Sequence, residues 1–492
     1  MKPRAFAFAV LLLGLLLACA TNPATGRRQL MLVGQADEVR MGREADPEVR
    51  AEFGVFEDPQ LAGLVSRVGK DIASRTEQPD LPYSFTVLDS PIVNAFALPG
   101  GPVYITRGLL AHADDESEMA GVLGHEVGHV VARHGAEQMS RQQLFGAGLG
   151  LVSILRPDVG HYTDLLGAGA QLLLLKYSRS AESEADRLGV RYLGRTGYDP
   201  LGMPRFLAVL DRISERSGQA LPNWMSTHPD PGGRVEATRA LAAPLAKRRA
   251  KQGKPLRVAR DEYLAAVDGL VFGDDPRQGF QRGNTFHHPD MRFRFDVPEG
   301  WKIINTRQMV AAVDNAEQPS AQLVLQVVPP KEAQGLGPEE FARRIAREQP
   351  KLSFQGEATT LGGIPAWVGL VRVPDQKGGA STMLAGWISH RDQLFQMLGA
   401  WASSADRAPA QLERSIRSFR KEDNAEILAV KPVVLDLAQL PAGTSLQQFC
   451  AGRRDLGAKC EDVALINSLP LNKPAESAVK IKVPVRQSPV YP

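Results

Sequence analysis

Nine histidines are spread over 492 residues, and two of them stand four apart in His125-Glu126-Val127-Gly128-His129. On a helix of 3.6 residues per turn, positions i and i+4 share a face, so both imidazoles reach one ion while the glutamate stands beside it. In this HExxH spacing two neutral histidines hold zinc, and the glutamate takes a proton from the water that zinc activates. The motif also constrains its surroundings. Ala120, Val122, Leu123, Val127, Val130 and Val131 make the remaining faces apolar, which predicts a buried helix. Asp114, Asp115 and Glu116 place negative charge where that helix should begin, in keeping with its dipole.

The chain exceeds one ordinary core and predicts about two to four domains. Its formal charge of +3 is near balance, and no basic tract is interleaved with aromatics, so no nucleic-acid partner is expected. One stretch is apolar enough for a membrane. Lys2 and Arg4 precede the run Ala5 to Leu17, followed by Ala18-Cys19-Ala20, which describes an export signal rather than a spanning helix. Leu16-Leu17-Ala18-Cys19 resembles the bacterial lipobox, which implies cleavage before Cys19, lipidation of its thiol and a mature protein held to the membrane by acyl chains. Ala20, where an acidic residue would stand otherwise, resembles the pattern sent on to the outer membrane. Residues 21–28 then read as a polar tether. Cys450 and Cys460 remain, and in an oxidising compartment they form either a small disulfide loop or two free buried thiols.

Along the chain, Leu30, Leu32, Val33, Val39 and Met41 suggest a helix broken near Pro47, and Leu61, Leu64, Val65, Val68 and Ile72 a second. Residues 83–88, 93–98 and 103–106 alternate as strands, with Pro99-Gly100-Gly101-Pro102 a tight turn, and predict a small sheet directly before the motif helix. An exposed strand edge beside a metal holds an extended peptide by backbone pairing; Phe96 and Leu98 fit ordinary sheet core equally well. The small apolar stretches 144–151 and 165–170 are too short and interrupted for membrane spans and read as cover over the cleft. Next, Tyr177 to Gly189 forms a charged helix with carboxylates at Glu182, Glu184 and Asp186. Catalytic zinc needs a third protein ligand, and two His with one Glu is a known set. Asp186 shares a face with Glu182 and is placed to bond the outer nitrogen of a ligating histidine, whereas Glu184 points elsewhere. His228 lies in the loop Trp224 to Pro231, and Arg234 opens a final helix.

Ala246 to Pro255 marks a composition shift. From about Phe286 alternating strands mix with helices at 339–348 and 408–419, an α+β module. His287 and His288 are adjacent, cannot share a helix face, and read as surface residues. After Pro432 the order strand, helix, helix, strand resembles the LysM type of carbohydrate-binding module, which implies peptidoglycan contact through the C-terminus.

Asn94-Ala95-Phe96-Ala97-Leu98-Pro99-Gly100-Gly101, the HExxH at 125–129, Arg179 with Glu182-Ser183-Glu184-Ala185-Asp186, and Thr227-His228-Pro229 together resemble the gluzincin metallopeptidase family of HtpX, BepA and the CAAX prenyl protease. The lipoprotein start places the resemblance in the BepA-like periplasmic branch. The long spans of the membrane-embedded members are missing, which argues against a prenylated substrate, and the C-terminal half lacks BepA-type helical repeats. The resemblance implies His125, His129 and Glu182 as ligands of one zinc per chain, Glu126 as general base, and Asp186 and Arg179 as their support. It implies Asn94, Ala95, Phe96 and Ala97 as the substrate-binding edge, and His228 as either an oxyanion stabiliser or a fourth, latency-related ligand. The expected architecture is multidomain α+β: a signal peptide at 1–18, a mainly helical peptidase domain with a small sheet at 19–245, a linker at 246–285, an α+β domain at 286–420 and a small module at 430–492. The expected function is zinc-dependent endoproteolysis of misfolded or misassembled envelope proteins from the periplasmic face of the outer membrane; the alternative is a periplasmic chaperone or assembly factor with a latent metal site.

Overall fold

The computed structural model describes residues 19–140, 177–217, 228, 231–315, 318–374 and 380–487. The apolar stretches 144–151 and 165–170 and the loop 224–227 lie outside the described residues. The protein is multidomain α+β and divides into two compact units, Met1–Asp274 with Val433–Arg486, and Asp275–Pro432 with Gln487–Pro492.

In the first unit β1 (Cys19–Thr21) and β2 (Arg28–Leu30) pair antiparallel, so the expected polar tether is folded, and Asn22 at its turn is only 1% exposed. Helix α1 (Gln35–Phe53) runs through Pro47 unbroken: Pro47 lies on the exposed face, while Ala45 and Val49 face the core. Helix α2 (Pro59–Ala73) starts on the Asp58 side chain, which accepts from the Leu61 amide at 3.0 Å, and buries Leu61, Val65, Val68 and Ile72 along one stripe. Strands β3 (Ser84–Leu88), β4 (Ala95–Ala97) and β5 (Pro102–Thr106) form a sheet in the order β3-β5-β4, leaving β4 at the edge.

After α3 (Arg107–His112) comes α4 (Glu116–Val131), the motif helix, buried at every residue. Asp115 caps its start by accepting from the Glu118 amide, and Arg133, left-handed at φ 58°, turns the chain just past its end. Helix α5 (Arg179–Thr196) begins on the Ser178 hydroxyl and stops at left-handed Gly197. Helices α4 and α5 approach closely through small residues: a Cβ on Gly128 would stand 3.0 Å from the Ala185 carbonyl oxygen, and one on Gly189 3.0 Å from the His125 nitrogen. That approach brings Glu182 within reach of both motif histidines.

Helices α6 (Gly202–Ser217), α7 (Pro231–Lys251) and α8 (Arg260–Val267) complete the wall. Residues 246–274, expected largely as linker, are therefore folded. The basic run is the last turn of α7, where positive charge suits the dipole, and α8 buries Tyr263, whose hydroxyl donates to the Leu110 carbonyl at 2.6 Å.

The second unit opens with β6 (Phe280–Arg282), β7 (Thr285–His288) and β8 (Phe293–Asp296), which join β16 (Arg420–Lys421) in the order β16-β8-β7-β6. Strands β9 (Lys302–Asn305), β10 (Met309–Val313), β11 (Ala321–Val327), β12 (Ser353–Leu361), β13 (Ile364–Pro374), β14 (Ala380–His390) and β15 (Gln393–Trp401) form an antiparallel sheet in the order β12-β13-β14-β15-β11-β10-β9. Alternation along the strands gives it two apolar faces. Ala366, Val368, Leu384 and Ile388 pack with Leu412 and Ile416 of α10 (Ala408–Arg417), and Trp367, Val371 and Trp387 with Phe341 of α9 (Pro338–Glu348). His287, expected at the surface, is buried with its Nδ1 on the Glu422 carboxylate, and burial pushes the partly buried His288 down to about 4.

The chain then returns to the first unit as β17 (Val433–Leu440), α11 (Leu446–Ala451), α12 (Cys460–Ile466) and β18 (Val479–Arg486), with the two strands antiparallel and a Cys450–Cys460 disulfide between the helices. Lys482 of β18 is wholly buried; its ammonium donates to the carbonyls of Ala111 (3.1 Å) and Ala113 and lies 3.4 Å from Asp114, just before α4. Among the described residues, no helix is long and apolar enough to cross a membrane.

Candidate metal centre

His125 and His129 lie on one face of α4 with their Nε2 atoms 3.0 Å apart. Glu182, in the first turn of α5, brings Oε2 to 3.5 Å from His125 Nε2 and Oε1 to 3.4 Å from His129 Nε2. His228 adds Nδ1, 3.0 Å from Glu182 Oε1 and 3.3 Å from His125 Nε2. The four donor atoms lie within 4.8 Å of one another, and all four residues are buried. Tetrahedral zinc with bonds of 2.0–2.1 Å spaces its donors by roughly 3.3 Å, so these separations fit the ion. The donor types fit as well, two imidazoles and a carboxylate being a catalytic zinc set, with a third imidazole alongside as fourth donor.

Glu126 lies next to this cluster, wholly buried, and among the described residues neither of its carboxylate oxygens has a hydrogen-bond partner. A buried carboxylate without hydrogen bonds is costly, and a water polarised by a cation held in the neighbouring cluster would satisfy it. Burial raises its pKa, which suits a base working near neutrality. Burial would likewise raise Glu182, but His228, His125 and His129 outweigh it and hold that carboxyl well below its usual range. For His125, burial opposes charge, and Asp186 with Glu182 overcomes it, lifting the ring to about 9; His129 is pushed well down by its burial.

Each motif histidine is gripped from behind. His125 Nδ1 lies 3.0 Å from Asp186 Oδ1, and Arg234 of α7 donates to both Asp186 oxygens (2.8 and 2.7 Å) while its Nη1 stands 2.8 Å from Glu182 Oε2. His129 Nδ1 meets His134 Nδ1 at 2.9 Å, and Glu184, expected to point elsewhere, is buried with Oε2 3.6 Å from His134 Nε2. Tyr177 stacks on the His129 ring with centroids 4.0 Å apart. Between that stack and Ala97, Leu98 and Pro99 there remains a cavity of only about 10 Å³, room for roughly one water.

Of the residues named from sequence, the structure brings His125, Glu126, His129, Glu182, Asp186 and His228 together. Arg179 opens α5 on the exposed rim of a cavity of about 340 Å³ shared with Arg187 and Arg234. The Asn94 carbonyl accepts from the Thr106 amide at 3.0 Å and the Asn94 amide donates to the Thr106 hydroxyl at 3.1 Å, and Ala95 to Ala97 form the edge strand with α4 packed behind it. The Phe96 side chain stacks on Tyr104 at 5.0 Å in a core with Val49 and Leu98. Sequence reasoning missed His134, Tyr177 and Arg234. The first two flank recognised motifs; Arg234 stands six positions after His228.

Residues 59–242 match the model of peptidase family M48. The chain is 31% identical over 300 residues to the beta-barrel assembly-enhancing protease of Escherichia coli (strain K12), covering 58% of this chain and 56% of that one. It is 32% identical over 263 residues to the Yersinia pestis protein of that name (51% and 52% covered) and 35% identical over 179 residues to the mitochondrial metalloendopeptidase OMA1 of Arabidopsis thaliana (36% and 35%). The chain thus spans about half the length of the bacterial relatives it matches.

Proposed function

We propose that residues 59–242, which match peptidase family M48, form a zinc metallopeptidase domain, and that the chain is an endopeptidase acting on misfolded or misassembled proteins of the bacterial cell envelope. Lipid on Cys19 would hold it at the periplasmic face of the outer membrane, and the strand-helix-helix-strand module would touch peptidoglycan. The observation that carries the reading is the buried Glu126, without a hydrogen bond among the described residues, beside four converging donors. The bacterial relatives, being beta-barrel assembly-enhancing proteases, support the envelope setting.

His125, His129 and Glu182 would hold a single zinc, which when bound supplies a Lewis acid that lowers the pKa of a water and polarises the scissile carbonyl. Glu126 takes the proton from the attacking water and delivers it to the leaving amine. The backbone of Asn94 to Ala97 pairs with an extended substrate, and Asp186, tied by Arg234, keeps His125 in the tautomer that leaves Nε2 free to bind metal.

His228 supports a second reading. A catalytic zinc keeps one position open, whereas four protein donors close the set. With His228 Nδ1 among the donors and Tyr177 over His129, the arrangement is that of a latent site, which favours an assembly factor whose cleavage is switched on elsewhere. Swung aside, His228 would instead donate to the developing oxyanion. Casein digestion by the purified protein, with and without a metal chelator, separates these readings. Chelator-sensitive cleavage by the parent supports the protease; cleavage by His228→Ala alone supports latency; no cleavage by either, with zinc retained, overturns the endopeptidase reading.

A further inference from the structure

We infer that Asn22, Glu184 and His134 are positioning residues for His129, so that the stretch directly after Cys19 is built into the support of the metal centre. The inference rests on the reading of this cluster as a zinc site. His129 presents Nε2 to the donor cluster and Nδ1 to His134 Nδ1, 2.9 Å away. A neutral imidazole carries one donor and one acceptor nitrogen. With Nε2 given to a metal, the His129 proton sits on Nδ1 and is donated to His134 Nδ1, which must then be an acceptor. The His134 proton is thereby confined to Nε2, which is buried and has no hydrogen-bond acceptor among the described residues, with Glu184 Oε2 3.6 Å away in electrostatic contact. Glu184 Oε1 accepts from Asn22 Nδ2 at 3.0 Å.

Asn22 is fixed at both ends of its amide. Its Oδ1 accepts from the amides of Ala24 (2.9 Å) and Thr25 (3.2 Å), which leaves Nδ2 no orientation but toward Glu184 and, at 3.4 Å, the Ala132 carbonyl where α4 ends. The β1–β2 pair flanks this turn and holds it. At the other end of the relay, His134 stands five residues past His129, where an unbroken helix would carry it roughly 140° around the axis. Left-handed Arg133 folds the chain back instead; its guanidinium is anchored on Glu38 and on the Val33 carbonyl at 2.9 Å. The two histidines are thus supported differently. His125 has a carboxylate directly behind it, whereas the carboxylate behind His129 acts through a second imidazole and is itself set by a residue three positions from Cys19.

The test is zinc affinity of the full chain, measured by competition with a chromophoric chelator, together with the visible spectrum of the cobalt-substituted protein and thermal melting of the metal-free form. Glu184→Gln and Asn22→Ala are each expected to weaken zinc binding by about 10–100-fold and to shift the cobalt bands. The double variant should be no weaker than the weaker single one, because both changes interrupt one chain of contacts. Unchanged zinc affinity with a lowered metal-free melting point would make Asn22 and Glu184 structural only and overturn the inference, as would additive losses in the double variant. Glu184→Gln keeps the side-chain shape and carries the test if Asn22→Ala does not fold. A parent that binds no zinc overturns the metal reading itself, an outcome distinct from a parent and variants that bind it equally.

Discussion

At its first turn α4 carries Asp115, Glu116 and Glu118, and at its last turns His125, Glu126 and His129, every one of them buried. The first group is saturated with partners. Glu116 takes two hydrogen bonds from Arg67 (3.1 and 2.9 Å), one from the Tyr198 hydroxyl (2.8 Å) and an ion pair with Arg257 (2.8 Å). Asp115 holds Arg205 at 3.1 Å, and Glu118 accepts from the Asp114 amide at 2.9 Å. Glu126 has no hydrogen bond among the described residues, and His228 Nε2 stands 3.8 Å off. Burial of charge is common to both ends, so burial does not mark the active end. What marks it is a carboxylate left unsatisfied where other donors converge, which a fold tolerates only where the group is needed for something besides stability.

Two substitutions set the ends against each other. Glu126→Gln should lower peptide-bond hydrolysis by about 10²–10⁴-fold while zinc content and the melting point hold, since it breaks no hydrogen bond among the described residues. A variant that cleaves as fast as the parent would break the contrast outright. Glu116→Ala should do the reverse: it strips several charged contacts from a buried site and costs about 2–3 kcal/mol in denaturant unfolding, yet the folded fraction should keep its zinc. Loss of zinc from folded Glu116→Ala would mean that the braced end tunes the metal end rather than merely holding it.

Much of this was legible in the residues because helical periodicity converts spacing directly into geometry. The pairs His125/His129 and Glu182/Asp186 are one turn apart and needed no tertiary information to be placed on common faces. His134 escaped because its position depends on a left-handed residue that is not glycine, and Arg133 bears no local mark of that conformation. Arg234 and Asn22 escaped because their contacts join residues 48 and 162 positions apart, a separation over which no periodicity speaks. The same reason hid the true extent of the folded chain. A basic run reads as a domain edge until the helix behind it is seen to continue, and residues 21–28 read as tether until Asn22 is seen to be buried.

The mildest change is Glu118→Gln, which keeps the side chain's size and shows itself only as a pH slope. Burial, reinforced by Asp114 and Asp115, pushes the Glu118 carboxyl from the usual 4.5 up to about 8. Between those values the folded protein retains a proton that the unfolded chain has released. The stabilisation is therefore fully present below about pH 4.5 and is lost as pH rises through about 8. Glutamine stands in for the protonated carboxyl at every pH. Melting points of parent and variant should thus agree near pH 5 and separate toward pH 8, with the variant the more stable, and neither peptide hydrolysis nor zinc content should distinguish them. Parallel melting profiles would mean that Glu118 is ionised in the fold. The braced end would then hold its full negative charge against Arg205 and Lys482, and its difference from Glu126 would rest on partners alone, not on protonation.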